Sequence, residues 1–395
     1  MRRPKSWCRL LRSPRKTLTN TQRNKALPRG ACRDGVPGTH FARQTQCLPQ
    51  IAGSLTTGNI EMTIRIAVIG AGLMGADHAR IVAEDLPGAS LQVVCDMDAD
   101  RARKVADAYS AHDVDSDPDR VSARPDVDAV IIASPDFTHA PLSLSCIRAG
   151  KRALCEKPLS PSSKECLEIM QAEEAAGKKF IMLGFMRRFD QSYVEMKQAL
   201  EHGAIGRALM MHNFHRNVAT PASDFTGAMA ITNSAPHEFD VVRHVLDTEY
   251  VSISAFQPKR SDALVAPVYM VLETADDQLV NIEINNNAAY GYDVRAELVG
   301  EKATIAMNAV NYTRVDRELG QSTSYEADWR GRYAEAYRRQ NRAFIRFVET
   351  GVFPHIASSS WDGYCAARVA EAGVTALNDG CKVPVEMIAK PEFYA

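Results

Sequence analysis

Hydrophobic residues follow two successive patterns along the chain. In the first pattern, short and continuously apolar runs occupy residues 64–69, 91–95, 128–133, 152–155 and 180–183. Amphipathic segments of helical period separate these runs. Strands that are apolar on both faces are typical of parallel sheets, and their alternation with helices predicts βαβ units in a doubly wound sheet. The first pattern therefore predicts an α/β fold.

The second pattern begins near residue 184. Helices are predicted over residues 191–202 and 236–246, with a strand over 207–215 and a loop of mixed polarity up to residue 232 between them. Five more strands are predicted at 250–256, 268–274, 279–286, 292–299 and 303–307. Successive strands with tight turns indicate a largely antiparallel sheet. Two late helices, over 332–350 and 359–378, are expected to cover one face of this sheet.

Residues 1–61 show neither pattern. This leader is rich in Arg, Pro, Thr and Gly and carries 12 Lys/Arg against two acidic residues. It is either a transit-like sequence or translated upstream sequence ahead of a true start at Met62. We favour the second interpretation because Met62 directly precedes the first strand, and in both we predict that the leader is disordered.

Composition excludes several classes of protein. The chain outside the leader carries 35 basic and 46 acidic residues, and this acidic balance argues against a nucleic-acid partner. No apolar run approaches the ~18 residues of a membrane span. The six cysteines outside the leader form no C-x-x-C pair, which suits reduced thiols in the cytoplasm better than disulfides or a zinc site.

A glycine motif follows the first apolar run. Gly70, Gly72 and Gly75 form a G-x-G-x-x-G between strand and helix, and Asp96 ends the next strand about 20 residues later. Such glycines permit a tight turn, close approach of a pyrophosphate to the helix N-terminus, and close packing of helix on strand. The Asp96 carboxylate would accept a hydrogen bond from a ribose hydroxyl. The pattern therefore predicts a Rossmann domain over residues 62–183 that binds NAD.

Two side chains are candidates for catalysis. Lys157 follows the strand at 152–155, at the strand end where open α/β sheets bind ligands, and its ammonium can stabilise an oxyanion. A surface lysine is the commoner alternative. His237 lies at a helix start, where the dipole favours a neutral imidazole that can accept a proton. A histidine that caps backbone or packs in the core is its alternative.

The motifs together resemble those of the glucose-fructose oxidoreductase/inositol dehydrogenase family over residues 62–395. The resemblance rests on the glycine motif, the triplet Glu156-Lys157-Pro158 and the segment His237-Glu-Phe-Asp240. Residues 184–190 and 290–295 are similar to its inositol 2-dehydrogenase branch. The resemblance implies that an α/β domain with an open sheet follows the Rossmann domain, over residues 184–395. It also implies that the exposed face of that sheet forms a homodimer or homotetramer interface.

The resemblance implies roles for single residues as well. Lys157 would bind and polarise the reacting oxygen, and His237 would be the acid/base group. Asn233 stands where the family branch usually has an aspartate, and an amide cannot raise the basicity of an imidazole by its charge. Three alternatives follow: Lys157 and His237 suffice, Asp240 helps to orient His237, or substrate choice or activity has changed. The candidate catalytic residues are Lys157, His237 and Asn233.

Two further sets complete the candidate site. The candidate cofactor-binding residues are Gly70, Gly72, Leu73, Met74, Gly75, Asp96, Ser134, His139, Glu156 and Lys157. The candidate substrate-binding residues are Met186, Arg187, Asp190, His215, Asn233, His237 and Tyr337, with His212 and Arg216 as further polar groups beside His215. Half-exposed strand residues are the alternative for His212, His215 and Arg216, and core packing is the alternative for Tyr337.

These expectations converge on an NAD-dependent oxidoreductase that oxidises a ring hydroxyl of a polyol, foremost an inositol. NADP is less favoured because the Asp96 carboxylate would repel a 2′-phosphate, although Arg101 and Arg103 lie nearby. No metal is expected, since the histidines show no ligand spacing. The alternatives are a dehydrogenase of an aldose or another cyclic alcohol, and a dinucleotide-binding sensor without turnover, which Asn233 keeps open. The protein is expected to be a cytoplasmic homo-oligomer with no membrane or nucleic-acid partner.

Overall fold

The computed structural model describes residues 63–262, 264–308 and 313–395. The leader, for which we predicted disorder, lies outside the described residues. None of the described helices is both long enough and apolar enough to cross a membrane. All six cysteines in the described part of the chain are free thiols.

The first sheet has six parallel strands. They are β1 (Ile64–Ile69), β2 (Ala89–Cys95), β3 (Asp113–Asp115), β4 (Ala129–Ile132), β5 (Arg152–Cys155) and β6 (Ile181–Leu183). Their order is β3-β2-β1-β4-β5-β6, which is the doubly wound arrangement that binds dinucleotides. All four residues of β4 are buried, because helices cover both faces. The predicted Rossmann fold is confirmed.

Helices lie between these strands, as the amphipathic segments predicted. They are α1 (Leu73–Arg80), a π-helix that continues it (Ile81–Asp85), α2 (Ala99–Ala108), α3 (Pro118–Ala123), a 3₁₀ turn (Asp136–Thr138), α4 (His139–Arg148) and α5 (Ser163–Ala176). Helix α5 ends at Gly177, which adopts a positive φ of 66° and accommodates the left-handed turn that closes the helix. Strand β3 and helix α3 were not predicted, because segments of three and six residues carry too short a pattern to be recognised.

The second half of the chain builds a seven-stranded, mixed sheet. Its strands are β7 (Ala208–Arg216), β8 (Tyr250–Phe256), β9 (Val268–Thr274), β10 (Leu279–Asn285), β11 (Asp293–Gly300), β12 (Thr304–Ala306) and β15 (Val383–Pro384). A separate hairpin consists of β13 (Val315–Arg317) and β14 (Gly320–Ser322). In the order β12-β11-β7-β10-β9-β8-β15, only the pair β7–β10 is parallel. The open, mostly antiparallel sheet is therefore confirmed.

Helices connect and cover the second sheet. A 3₁₀ turn (Met186–Phe189) and α6 (Gln191–Glu201) precede β7. Between β7 and β8 come α7 (Gly227–Met229), a π-helix (Ala230–Ser234) and α8 (Pro236–Leu246). The predicted loop up to residue 232 was therefore wrong in its last turns, which are helical and carry Asn233 into the site.

The two late helices differ in what they cover. Helix α10 (Ser360–Asp379) packs on β8 and α8, as expected for a helix covering the second sheet. Helix α9 (Trp329–Thr350) instead packs against β1, β5 and the 3₁₀ turn after β6. The expectation that both helices cover the second sheet was wrong, because amphipathicity shows that a helix has an apolar face but not which sheet that face contacts.

Candidate active site

The three glycines of the motif differ in how closely the backbone surrounds them. Gly70 has a φ of +97°, and a Cβ there would lie 2.4 Å from the Ala133 carbonyl oxygen. A Cβ on Gly75 would lie 1.7 Å from the oxygen of Gly70. Within the described part of the chain, no atom lies within 4 Å of a Cβ on Gly72, and no side chain caps the first turn of α1 there. Open space before an uncapped helix N-terminus fits the pyrophosphate of a dinucleotide.

Asp96 follows β2 beside this turn. Its Oδ2 accepts a hydrogen bond from the Ala71 N–H at 2.7 Å, and Oδ1 accepts one from Arg101 Nη2 at 2.7 Å. Partial burial opposes ionisation, but the Arg101 guanidinium and the backbone donors lower the pKa of Asp96 below its usual value. The carboxylate is therefore charged and fixed where a ribose would meet it. Arg101 is engaged by Asp96 rather than held apart for a 2′-phosphate.

A cavity of about 560 Å³ opens beside the first turn of α1, at the carboxyl ends of β4 and β5. Eleven of the candidate residues line it: Leu73, Met74, Ser134, His139, Glu156, Lys157, Met186, His215, Asn233, His237 and Tyr337. The cavity thus brings together groups from both halves of the chain. Gly70, Gly72, Gly75, Asp96, Arg187 and Asp190 are not among its lining residues.

Lys157 and Asn233 meet across this cavity. The half-buried Lys157 donates from Nζ to the backbone carbonyl of Asn233 at 3.1 Å. The Asn233 side chain points to the first sheet, where its Nδ2 donates to Asp136 Oδ2 at 3.2 Å. The ammonium is therefore held at the cavity wall by a neutral carbonyl, without an ion pair among the described residues.

His237 is nearly buried, with 7% of its surface exposed. Its Nδ1 is enclosed and has no hydrogen-bond partner among the described residues. Burial, and next the positive charges of Arg187 and Lys157, hold the pKa of His237 well below its usual value. A neutral imidazole therefore faces the cavity.

Asp240 does not orient His237, so that alternative was wrong. Its carboxylate forms a two-point ion pair with Arg188, at 2.6 and 2.9 Å, and accepts a hydrogen bond from Ser358 Oγ. A spacing of three residues on a helix places two side chains on similar faces, but the buried Arg188 lies closer to the carboxylate and binds it.

Behind His237 lies a buried group formed by Arg187, Glu238 and His215. Glu238 Oε1 accepts from Arg187 Nη1, and Glu238 Oε2 lies 3.0 Å from His215 Nδ1. Burial would raise the pKa of Glu238, but Arg187 and His215 lower it below its usual value. Arg187 thus contacts His215 and Glu238 from behind the cavity wall. His215 presents its ring to the cavity with a carboxylate on its Nδ1.

Glu156 and His139 fix the ends of the parallel strands. Glu156 Oε1 lies 2.9 Å from Nε2 of the buried His78, whose Nδ1 faces the side-chain amide of Asn341 at 3.0 Å. His139 places its two ring nitrogens 2.6 Å from the Pro158 carbonyl and 2.9 Å from the Ser134 carbonyl. Both side chains line the cavity, but their polar atoms form hydrogen bonds with other protein groups. They hold the strand ends in place.

Besides Asp96 and Arg187, three polar candidates lie away from the cavity. Asp190 caps α6 and forms an ion pair with Arg332 at 2.6 Å. His212 pairs with Asn281, and Arg216 pairs with Glu283 at 2.7 Å. On β7 alternate residues face opposite sides, so His215 faces inward while His212 and Arg216 face outward. As substrate contacts, His212 and Arg216 were wrong, because they occupy the other face of the sheet.

Sequence reasoning missed three groups that the structure brings to the site. Asp136 follows the end of β4, which is the same kind of position that pointed to Lys157, so the strand pattern could have identified it. His78 and the Glu238–His215 pair offered no such pattern, because each contact joins residues far apart in the sequence. Among the described residues, no group of three or more His, Cys, Asp or Glu side chains is placed to hold a metal ion.

Comparison with known proteins places these features in a family. Residues 64–185 match the model of the GFO/IDH/MocA oxidoreductase family, NAD-binding Rossmann fold, and residues 193–306 match the GFO/IDH/MocA C-terminal domain. Inositol 2-dehydrogenase 1 of Saccharopolyspora erythraea is 43% identical over 339 residues, which cover 84% of this chain and 99% of that protein. An inositol 2-dehydrogenase/D-chiro-inositol 3-dehydrogenase of Shouchella clausii is 39% identical, over 84% of this chain and 97% of that protein.

A solved structure agrees with this assignment. The crystal structure of myo-inositol dehydrogenase from Lactobacillus casei, in complex with NAD(H) and myo-inositol, superposes with a TM-score of 0.80 at 30% identity. The match covers 85% of this chain and 100% of that chain. The chain therefore belongs to the GFO/IDH/MocA oxidoreductase family, as its motifs indicated.

Proposed function

We propose that this chain is an NAD-dependent dehydrogenase that oxidises a ring hydroxyl of an inositol. The observation that carries the proposal is the meeting of Lys157 and the neutral His237 in one cavity beside the glycine turn. The names of the relatives support the substrate class, since both curated relatives are inositol dehydrogenases. The bound NAD(H) and myo-inositol of the Lactobacillus casei protein support the same pairing of cofactor and substrate.

The residues present fit the cofactor that the family uses. Gly72 and the uncapped N-terminus of α1 would hold the pyrophosphate, and Asp96 would accept a hydrogen bond from a ribose hydroxyl. NAD, when bound, accepts a hydride from the carbon that carries the reacting hydroxyl. Asp96 disfavours NADP, because its carboxylate is ionised and would repel a 2′-phosphate.

The protein's own groups then handle the oxygen and its proton. Lys157 Nζ donates a hydrogen bond to the reacting oxygen and stabilises the negative charge that develops on it. The His237 imidazole takes the hydroxyl proton through Nε2, because Nδ1 is enclosed by protein. Both Lys157 and Arg187 repel the imidazolium that forms, so the proton is released readily afterwards. Asn233 holds the ammonium through its carbonyl and contributes no charge.

The test is an activity measurement on the full chain with matched variants. NADH formation is followed with myo-, scyllo- and D-chiro-inositol and with several aldoses, and each assay is repeated with NADP. We expect turnover of an inositol with NAD, and roughly 10²- to 10⁴-fold losses of kcat/KM in Lys157→Ala and His237→Ala. Lys104→Ala, at an exposed position on α2, is the control and should leave kcat/KM unchanged.

Three outcomes would contradict the proposal in whole or in part. Full activity in either variant would remove that residue from the mechanism. Tight NADH binding without hydride transfer from any polyol or aldose would point to a dinucleotide-binding sensor. Turnover of an aldose in preference to every inositol would keep the mechanism but change the substrate class.

We further propose that the chain divides into an NAD-binding domain (62–183) and a substrate and oligomerisation domain (184–395). The two family models, which end at 185 and begin at 193, support this division. We propose a cytoplasmic homodimer or homotetramer that uses the outward face of the second sheet. Buried free thiols and the half-exposed outward side chains of β7 and β10 support this assignment.

A further inference from the structure

The acidic residues that line the cavity differ in how many of their oxygens are already bound. Three acids line it: Asp136, Glu156 and Asp328. Glu156 is bound through Oε1 by His78 and through Oε2 by the Lys157 backbone N–H at 3.3 Å. Asp328 caps α9, and both of its oxygens contact the Arg330 guanidinium at 3.1 Å. These two carboxylates are therefore committed to the protein.

Asp136 is committed through one oxygen only. It opens the 3₁₀ turn after β4 and is half-buried at the cavity wall. Its Oδ2 accepts from Asn233 Nδ2 at 3.2 Å, and no described residue donates to its Oδ1. Asn233 keeps its own side-chain oxygen as a second acceptor. Beside it lies Lys157 Nζ, 3.1 Å from the Asn233 carbonyl. Two acceptors and one donor thus line one wall.

We propose that Asp136 is a substrate-binding residue, and that Asp136 and Asn233 together bind two adjacent hydroxyls of the polyol. An ionised carboxylate only accepts hydrogen bonds, so it selects ligand groups that donate, and a hydroxyl does so. A hydrogen bond to a charged acceptor is stronger than one between neutral groups. This inference rests on the proposed oxidation of a polyol and adds a hydroxyl-binding group from the first sheet.

The arrangement also accounts for a neutral residue at position 233. Asn233 bridges Asp136 and the Lys157 ammonium. The carboxylate at this wall of the cavity is therefore supplied by Asp136, on the loop after β4, and not by position 233. A second carboxylate at position 233 would place two negative charges about 3 Å apart, which disfavours the ionisation of both. Exchanging the two side chains would preserve the number of charges and the hydrogen bond between them.

The experiment compares four full-length proteins in the NADH-loaded state. They are the unmodified chain, Asp136→Asn, the exchange variant Asp136→Asn/Asn233→Asp, and the control Asp107→Asn, an exposed acid on α2. Calorimetry gives the Kd for myo-inositol, fluorescence gives the Kd for NADH, and steady-state assays give KM and kcat. We expect Asp136→Asn to weaken myo-inositol binding roughly 10- to 100-fold with NADH affinity within about twofold. The exchange variant should recover most of the loss.

Monodeoxy inositols separate direct contact from a structural effect. Removing the hydroxyl that Asp136 binds should weaken binding to the unmodified chain but cause no further loss in Asp136→Asn. Equal losses for every analogue in both proteins would overturn the inference.

Other outcomes distinguish this inference from the proposed function. Unchanged myo-inositol affinity in Asp136→Asn, with Lys157→Ala inactive, overturns the role of Asp136 and leaves the dehydrogenase proposal intact. Weaker NADH binding with unchanged polyol affinity in Asp136→Asn would mean that the Asp136 carboxylate binds the cofactor, and this result also overturns its role in binding the polyol. If the NADH-loaded unmodified chain binds no polyol, both proposals fail.

Discussion

The chemistry of the site depends on the protonation of His237. Among the described residues no carboxylate contacts its imidazole and Nδ1 has no partner, and the charges that act on it most are the cations of Arg187 and Lys157. Such surroundings disfavour the imidazolium. The imidazole is therefore a weak base that is unprotonated and able to accept a proton. Because it is weak, proton transfer depends on Lys157, which polarises the hydroxyl and makes it more acidic.

This environment predicts a pH profile. Because the pKa of His237 lies well below 6.5, the neutral form persists as the pH falls, and kcat/KM for polyol oxidation should not decline between pH 8 and pH 6.5 through this residue. Stopped assays at constant ionic strength over this range measure it. An acid limb centred at or above pH 6.5 that disappears in His237→Gln would contradict the prediction.

His139 predicts a pH dependence of stability instead. Each ring nitrogen faces a carbonyl, which requires both to donate, as in the imidazolium. Burial opposes this charge, but Cys155 and the Pro158 carbonyl raise the pKa of His139 to about 9. A group whose pKa is higher in the folded state stabilises the fold fully at pH values below its unfolded pKa of about 6.5. This stabilisation is lost as the pH rises through the folded pKa of about 9.

The free energy of unfolding should therefore fall between pH 6.5 and 9 by a contribution on the order of 3 kcal/mol from this residue. Urea unfolding at intervals across this range measures the slope. His139→Gln should flatten it, whereas His112→Gln, at an exposed position, should not. The same slope in His139→Gln would show that His139 is neutral in the folded protein.

At the scale of elements, the turn between β1 and α1 separates folding from cofactor binding. Gly72→Ala introduces a methyl group that meets no atom of the described residues within 4 Å, so the free energy of unfolding should change by less than about 1 kcal/mol. The methyl group would occupy the space in which the backbone approaches a pyrophosphate. We expect the Kd for NADH to rise at least roughly tenfold, measured by fluorescence.

Two other glycines serve as controls for this prediction. Gly320→Ala, whose Cβ would make only an ordinary contact at 3.5 Å, should change neither property. Gly70→Ala should destabilise the fold itself, because its φ is +97° and the Cβ would meet the Ala133 carbonyl. Unchanged NADH affinity in a folded Gly72→Ala protein would show that the cofactor does not bind at this turn.

The elements that the sequence predicted share one property, which is a long and regular apolar pattern. Strands β8 and β9 were predicted at their observed bounds, and β4 within one residue. The π-helix that carries Asn233 was predicted as loop, because its polar and small residues show no period. Lys157 and His237 could be found from motifs and strand ends, whereas the Glu156–His78 contact joins residues 78 positions apart. Contacts of that kind depend on packing, which no local pattern contains.

At the scale of the whole molecule, the second sheet has unlike faces. Its inward face contributes buried residues such as Met211, Ile282 and Met270 to the core beneath α10. Its outward face carries half-exposed apolar side chains, among them Tyr269 at 41% and Leu279 at 42% exposure. A sheet face of this kind suits an isologous interface, in which the same surface meets itself.

This face predicts the effect of two charges on assembly. Leu279 and Tyr269 are exposed on neighbouring strands of the outward face, so the long side chain of an arginine at each position can reach solvent and should leave the monomer folded. An isologous interface between two such faces would bring four added arginines together, and the assembly should dissociate to a smaller species in mass photometry or sedimentation.

The control is Val352→Arg, a substitution at an apolar residue that is 71% exposed and lies just after α9. It adds one positive charge away from the sheet and should leave the mass unchanged. A double-arginine variant with the parent mass, or a parent that is already monomeric, would contradict an interface on this face. Because the catalytic groups of one chain line its own cavity, kcat/KM of a folded, dissociated variant should stay within a few-fold of the parent. A larger loss would mean that assembly, and not the chain alone, holds α8 and the second sheet in their active arrangement.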